Sequence, residues 1–120
     1  MLRCAIVDDN RRFLDAARGL LEREGVAVVG TATSGAGAVD LVEDSHPDVV
    51  LVDIDLGAES GFDIVARLHR LSPPPRVILI STYAEQDYAE LIDASAAIGF
   101  VPKTRLSAVA IGNLLRRATH

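Results

Sequence analysis

Five polar positions in this 120-residue chain stand where an apolar run stops: Asp8 and Asp9 after Cys4 to Val7, Asp53 after Val49 to Val52, Ser81 after Val77 to Ile80, and Lys103 after Ile98 to Val101. Gathered at one edge, they would offer three carboxylates, one hydroxyl and one ammonium. Clustered carboxylates repel one another and are costly without a cation among them. Carboxylate, carbonyl and water oxygens are what magnesium prefers, with only one or two carboxylates in direct contact. An aspartate can act as a nucleophile and become an aspartyl phosphate. Phosphoryl transfer needs positioning and charge neutralisation more than covalent help, and magnesium with a lysine supplies that neutralisation. A hydroxyl can donate to a phosphoryl oxygen. Taken singly, each residue has an ordinary reading: a turn or helix cap for the aspartates and Ser81, a surface charge for Lys103. Their joint placement at the ends of four strands favours the chemical one.

The elements that must position them alternate. Apolar residues Phe13, Ala16, Ala17, Leu20 and Leu21 recur at helical spacing, and Gly25 follows as a C-cap candidate. Val26 to Thr33 is β-branched, broken by Gly30, and reads as a second strand. Ser34 caps a helix through Ala38, Val39, Leu41 and Val42, which His46-Pro47-Asp48 stops. The runs Val49 to Val52 and Val77 to Ile80 are apolar without alternation, the mark of strands covered on both faces. Asp53 to Ser60 reads as a loop, with a helix from about Gly61 carrying Phe62, Ile64, Val65 and Leu68 inward and ending at Ser72-Pro73-Pro74-Pro75. Glu85 to Ala94 reads as a more polar helix and Leu106 to Ala118 as the last one. Five strands alternating with five helices imply a doubly wound parallel α/β sheet with helices on both faces. Such sheets bind ligands beyond the carboxyl ends of their strands, where the strand order reverses.

Composition narrows the rest. Apolar residues make up 49% of the chain, enough for one compact core and against disorder. No apolar run approaches a membrane span and no signal peptide opens the chain. Cys4 is the single cysteine and fits a reducing cytoplasm. The net charge is −5, and residues 1–60 hold 12 acidic against 5 basic side chains while residues 61–120 hold 5 against 7. The acidic excess therefore lies in the half with Asp8, Asp9, Asp53 and Asp55, which suits a cation site and disfavours direct DNA binding.

Ala5-Ile6-Val7-Asp8-Asp9, Asp48-Val49-Val50-Leu51-Val52-Asp53-Ile54, Ser60-Gly61-Phe62-Asp63, Ile78-Leu79-Ile80-Ser81-Thr82 and Gly99-Phe100-Val101-Pro102-Lys103 resemble, in order, the signature segments of bacterial response regulator receiver domains. The resemblance implies one receiver domain over residues 1–120, flavodoxin-like, with strand order 2-1-3-4-5. It implies that Asp53 accepts a phosphoryl group from a sensor histidine kinase. Asp9, Asp53 and the Asp55 carbonyl would ligate Mg2+, Asp8 would act through water, and Lys103 and Ser81 would contact the phosphoryl group. Phe100 takes the aromatic switch position, expected to turn inward in response. The face formed by the fourth helix, fifth strand and fifth helix would then change, the face receivers use for dimers or partner domains. Such a domain catalyses its own modification without being an enzyme in the usual sense. DNA would be reached only through an output domain outside this chain, with transcription the expected output.

Several positions depart from the common pattern. Ser81 replaces a threonine, Thr82 is bulkier than the frequent alanine, and Gly57 replaces a frequent proline, implying a looser loop. Pro102 precedes Lys103 where relatives place a proline after it, which leaves the isomer of the Val101–Pro102 bond open. Phe100 lacks the hydroxyl of a tyrosine switch. Asp55 and Tyr83 occupy positions that in this family tune phosphoryl lifetime. Two rival readings are a haloacid-dehalogenase-type phosphatase, suggested by Asp53-Ile54-Asp55, and a degenerate receiver serving only as an interaction module.

Overall fold

The computed structural model describes residues 1–118. Its elements, in chain order, are β1 (Arg3–Val7), α1 (Arg11–Arg23), β2 (Ala27–Ala32), α2 (Gly35–Ser45), β3 (Val49–Asp53), the two-residue strands β4 (Asp55–Leu56) and β5 (Glu59–Ser60), α3 (Gly61–His69), β6 (Arg76–Ser81), α4 (Ala89–Ala94), β7 (Gly99–Pro102) and α5 (Ala108–Ala118). Five strands form one parallel sheet in the order β2-β1-β3-β6-β7. Leaving out the β4–β5 pair, that is the expected order 2-1-3-4-5, and strand order reverses between β1 and β3.

The continuous apolar runs resolve into alternation once the sheet is formed. Ala5, Val7, Val50, Val52, Val77 and Leu79 face a core shared with Ala38 and Val42 of α2, Ile64, Val65 and Leu68 of α3, and Ile92 of α4. Their neighbours Cys4, Ile6, Val49, Leu51, Ile78 and Ile80 face a second core with Leu14, Ala17 and Leu21 of α1 and Ile111 of α5. Every residue of β3 is buried because both faces of the central strand are covered. Cys4 belongs to this packing: burial pushes its thiol up to about 12, so it is a small apolar residue without thiolate reactivity. Gly30 lies within β2 where α2 packs close; a Cβ would lie 2.5 Å from Leu41 Cδ1.

Three local details differ from the reading of the sequence, and the structure decides a fourth that the sequence left open. The expected loop from Asp53 to Ser60 contains the antiparallel β4–β5 ladder, pairing Asp55 with Ser60 and Leu56 with Glu59. The expected helix from Glu85 to Ala94 is a 3-10 turn over Glu85–Asp87 followed by the six-residue α4, because only Ile92 is buried to hold it. The last helix begins at Ala108 rather than Leu106, after a 3-10 turn over Lys103–Arg105, and the Ser107 hydroxyl accepts from the Ala110 amide in its first turn. Among the described residues the cis peptide is Ser72–Pro73, so Val101–Pro102 is trans.

Candidate functional site

The carboxyl ends of β1, β3, β6 and β7 deliver the polar residues to one edge of the sheet. Asp8 is fully buried directly after β1, and its Oδ1 accepts from the Asn10 amide at 2.9 Å. Asn10, not either aspartate, is the N-cap of α1, accepting from the Phe13 amide. The Asp pair is thereby relieved of capping duty and left for the site. Asp9 is exposed beside it. Asp53 ends β3 at 5% exposure, and its Oδ1 accepts from the Asp55 amide at 3.3 Å. Carboxylate oxygens of Asp8, Asp9 and Asp53 all lie within 4.8 Å of one another.

Lys103, in the turn after β7, reaches back over this cluster. Its Nζ lies 2.6 Å from Asp8 Oδ2 and 3.4 Å from Asp53 Oδ2. The Asp8 contact is an ion pair by distance only: Oδ2 is buried and accepts no hydrogen bond of normal geometry. The ammonium also sits 4.3 Å from the centroid of the Phe13 ring, within cation–π range. Phe13, on α1, reads in the sequence as a core-facing helix residue, and only the fold brings it to Lys103.

Three carboxylates against one ammonium leave an excess of negative charge. Burial first, then the Asp8 carboxylate, pushes the Asp53 carboxyl up to about 6, against the pulls of Lys103 and the Asp55 amide. Three carboxylates drawn together as hard oxygen donors, with one ammonium against them, fit a divalent cation of the magnesium type. Gly61 lets the start of α3 pack against the backbone that follows β3, since a Cβ there would lie 2.1 Å from the Asp53 carbonyl oxygen. Gly57 adopts φ +67 and passes so close to Asp9 that a Cβ would be 3.1 Å from its Oδ2.

The remaining positions lie around this centre. Ser81 is 1% exposed at the end of β6, one register step beyond Ile80, the partner of Asp53. Its Oγ accepts from the Tyr83 amide at 3.0 Å, which leaves the hydroxyl proton for another acceptor. The Asp55, Thr82 and Tyr83 side chains are exposed, with the Tyr83 ring edge-on to Tyr88. Phe100 is buried, packed in the core with Ile92 and Leu79. Without a hydroxyl to hydrate, a phenylalanine gains from such burial.

The response regulator receiver domain family matches residues 4–110. The chain belongs to this family. It is 31% identical over 104 residues to the uncharacterized transcriptional regulatory protein YvfU of Bacillus subtilis, covering 86% of this chain and 52% of that one. It is 33% identical over 94 residues to a protein-glutamate methylesterase/protein-glutamine glutaminase of Halobacterium salinarum, covering 78% and 27%. The chain thus spans about half, or less, of the length of these relatives. Among solved structures, the signal receiver domain of the NarL protein of Mycobacterium tuberculosis superposes with a TM-score of 0.82 at 28% identity, covering 95% and 96%. The fold is that of a receiver domain of two-component systems, a phosphorylation-activated switch. Relatives of this receiver include transcriptional regulators and an enzyme. Among the described residues no helix is long and apolar enough to cross a membrane.

Proposed function

We propose that residues 1–120 are one receiver domain in which Asp53 accepts a phosphoryl group from a phosphohistidine on a sensor histidine kinase. The observation that carries this reading is the Lys103 ammonium lying within ion-pair distance of both Asp8 and Asp53 inside a buried carboxylate cluster. An Asp53 oxygen attacks phosphorus, the phosphorus–nitrogen bond of the donor breaks, and the imidazole leaves with the electron pair and takes up a proton. Asp9, Asp53 and the Asp55 carbonyl would hold Mg2+, with Asp8 acting through water. Bound there, the ion supplies neutralisation of the phosphoryl oxygens. Lys103 moves its charge from Asp8 to a phosphoryl oxygen, and Ser81 donates its hydroxyl proton to another.

The output surface in this reading is α4–β7–α5, behind Phe100. Its two flanks differ in charge: residues 85–93 carry Glu85, Asp87, Glu90 and Asp93 with no basic residue, and residues 105–117 carry Arg105, Arg116 and Arg117 with no acidic one. A two-fold pairing that sets one copy's α4 against its partner's α5 would match these signs, which supports a homodimer through this face. DNA would be contacted only by an output domain outside this chain, the protein would work in the cytoplasm, and the receiver would turn over no external substrate beyond its own phosphoryl group. Incubation with acetyl phosphate in magnesium tests the assignment. The parent is expected to gain one phosphoryl group by mass, and Asp53→Asn none; equal labelling of both would overturn it.

A further inference from the structure

We propose that Glu59 is a positioning residue for the cation site: its carboxylate, seated on the first turn of α2, clamps the β4–β5 hairpin that carries the Asp55 carbonyl. The inference rests on the magnesium reading above and extends it to a residue outside the carboxylate cluster.

The hairpin is weakly determined by its own contacts. Each strand has two residues, and the turn holds Gly57 at φ 67, with no side chain to pack. A two-residue ladder is marginal in isolation, yet this one must lie against the site, since Gly57 passes directly beside Asp9. Two anchors outside the ladder hold it. On the α3 side, the Gly61 amide donates to the Ile54 carbonyl at 2.7 Å and the Ser60 hydroxyl accepts from the Phe62 amide. On the α2 side, Glu59 Oε1 and Oε2 accept from the Gly35 amide at 3.1 and 3.2 Å.

That second anchor is specific in three ways. The Gly35 amide opens an eleven-residue helix, and a first-turn amide lacks an intrahelical acceptor. A carboxylate there gains a charge-assisted bond and a favourable dipole. Ser34 already caps the same helix through the Gly37 amide, so Glu59 is not needed to start α2. Finally, Gly35 has no side chain because the clamp fills its space: a Cβ would lie 2.6 Å from Glu59 Oε2 and 2.7 Å from Arg67 Nη1. Glu59 therefore joins α2 to the loop between Asp53 and α3, in the role that outer-sphere groups play for metal ligands.

The test compares the parent, Glu59→Ala, Glu59→Gln, Gly35→Ala and the Glu59→Ala/Gly35→Ala double variant. Each is titrated with Mg2+ and followed by amide chemical shifts in NMR, with thermal melting recorded alongside. The expected result is an affinity about tenfold weaker in Glu59→Ala, the scale typical of outer-sphere partners, and a smaller loss in Glu59→Gln, which keeps an acceptor oxygen. Gly35→Ala is expected to weaken Mg2+ binding as well, by displacing the carboxylate, and to add nothing in the Glu59→Ala background. Faster hydrogen exchange of the Gly35 amide in Glu59→Ala would accompany this. Parent-like Mg2+ affinity in folded Glu59→Ala, whatever its melting temperature, would overturn the clamp and reduce Glu59 to a helix contact. A parent that shows no Mg2+ response would overturn the magnesium reading itself, which is a separate failure.

Discussion

Helices α3 and α4 lie on the same face of the sheet, and each follows a segment that ends in a site residue, but they are held by very different amounts of packing. Nine-residue α3 is capped by Ser60 and buries Gly61, Ile64, Val65 and Leu68. Six-residue α4 has no side-chain cap, follows a 3-10 turn, and buries only Ile92, while Leu91 is 55% exposed. The frame around Asp53 is thus anchored by a tightly packed neighbour, and the segment downstream of Ser81 by a loosely packed one. Elements that move in switching are drawn from the low-stability end of a structure. In the proposed mechanism the Asp53 site would stay fixed while the α4 side repacks, at modest energetic cost.

The strongest challenge to that contrast is truncation of its best-packed member. Ile64→Ala should destabilise the domain by about 3–4 kcal/mol, the cost of removing a fully buried side chain whose site cannot collapse. Chemical denaturation would measure it, and a loss under about 1 kcal/mol would show that α3 is no more constrained than α4.

The electrostatic strain of the anchored region gives the next effect. The Asp53 carboxyl is raised to about 6 in the folded chain from an ordinary value of 3.8, so the folded state binds more protons between those limits. Stability from this group is therefore fully present below about pH 4 and is lost as pH rises through about 6. Asp53→Asn, freed of that loss, should exceed the parent by about 2–3 kcal/mol at pH 7.5 in chelator, an advantage that shrinks towards pH 4. A variant less stable than the parent at pH 7.5 would contradict the account of the carboxylate cluster.

On the loose side, Ile92→Ala should lower global stability by only about 1 kcal/mol, because the helix around it can relax. Native-state hydrogen exchange sharpens the point: α4 amides should exchange faster than those of α3 in the parent, and equal protection would remove the distinction. The smallest effect concerns Phe13. Phe13→Leu, which keeps apolar volume but removes the ring beneath Lys103, should slow labelling by acetyl phosphate about threefold, the scale of a cation–π contact worth somewhat under 1 kcal/mol. Phe13→Trp should retain the parent rate.

The fold was readable because its signals are local and periodic. The runs Val49 to Val52 and Val77 to Ile80 carry the mark of strands covered on both faces, and Ser34, Gly25 and the prolines at 73–75 mark helix ends by backbone chemistry alone. The site was readable to the extent that each strand end names a residue, so Asp8, Asp9, Asp53, Ser81 and Lys103 fall together once the sheet is assumed. The β4–β5 ladder was not readable, since two-residue strands carry no periodicity. Nor was the shortness of α4, because helical spacing alone does not reveal how little of a segment will be buried.

What the sequence determined by itself is the order of elements and the chemical types delivered to one edge of the sheet, because hydrophobic period and turn residues act over a few positions. The tertiary structure alone decided which of those groups touch: Lys103 between Asp8, Asp53 and the Phe13 ring, and Glu59 on the Gly35 amide. Those contacts join residues 24 to 95 positions apart, and no local pattern encodes them. They arise where parallel strands and right-handed crossovers bring separate loops to a common edge.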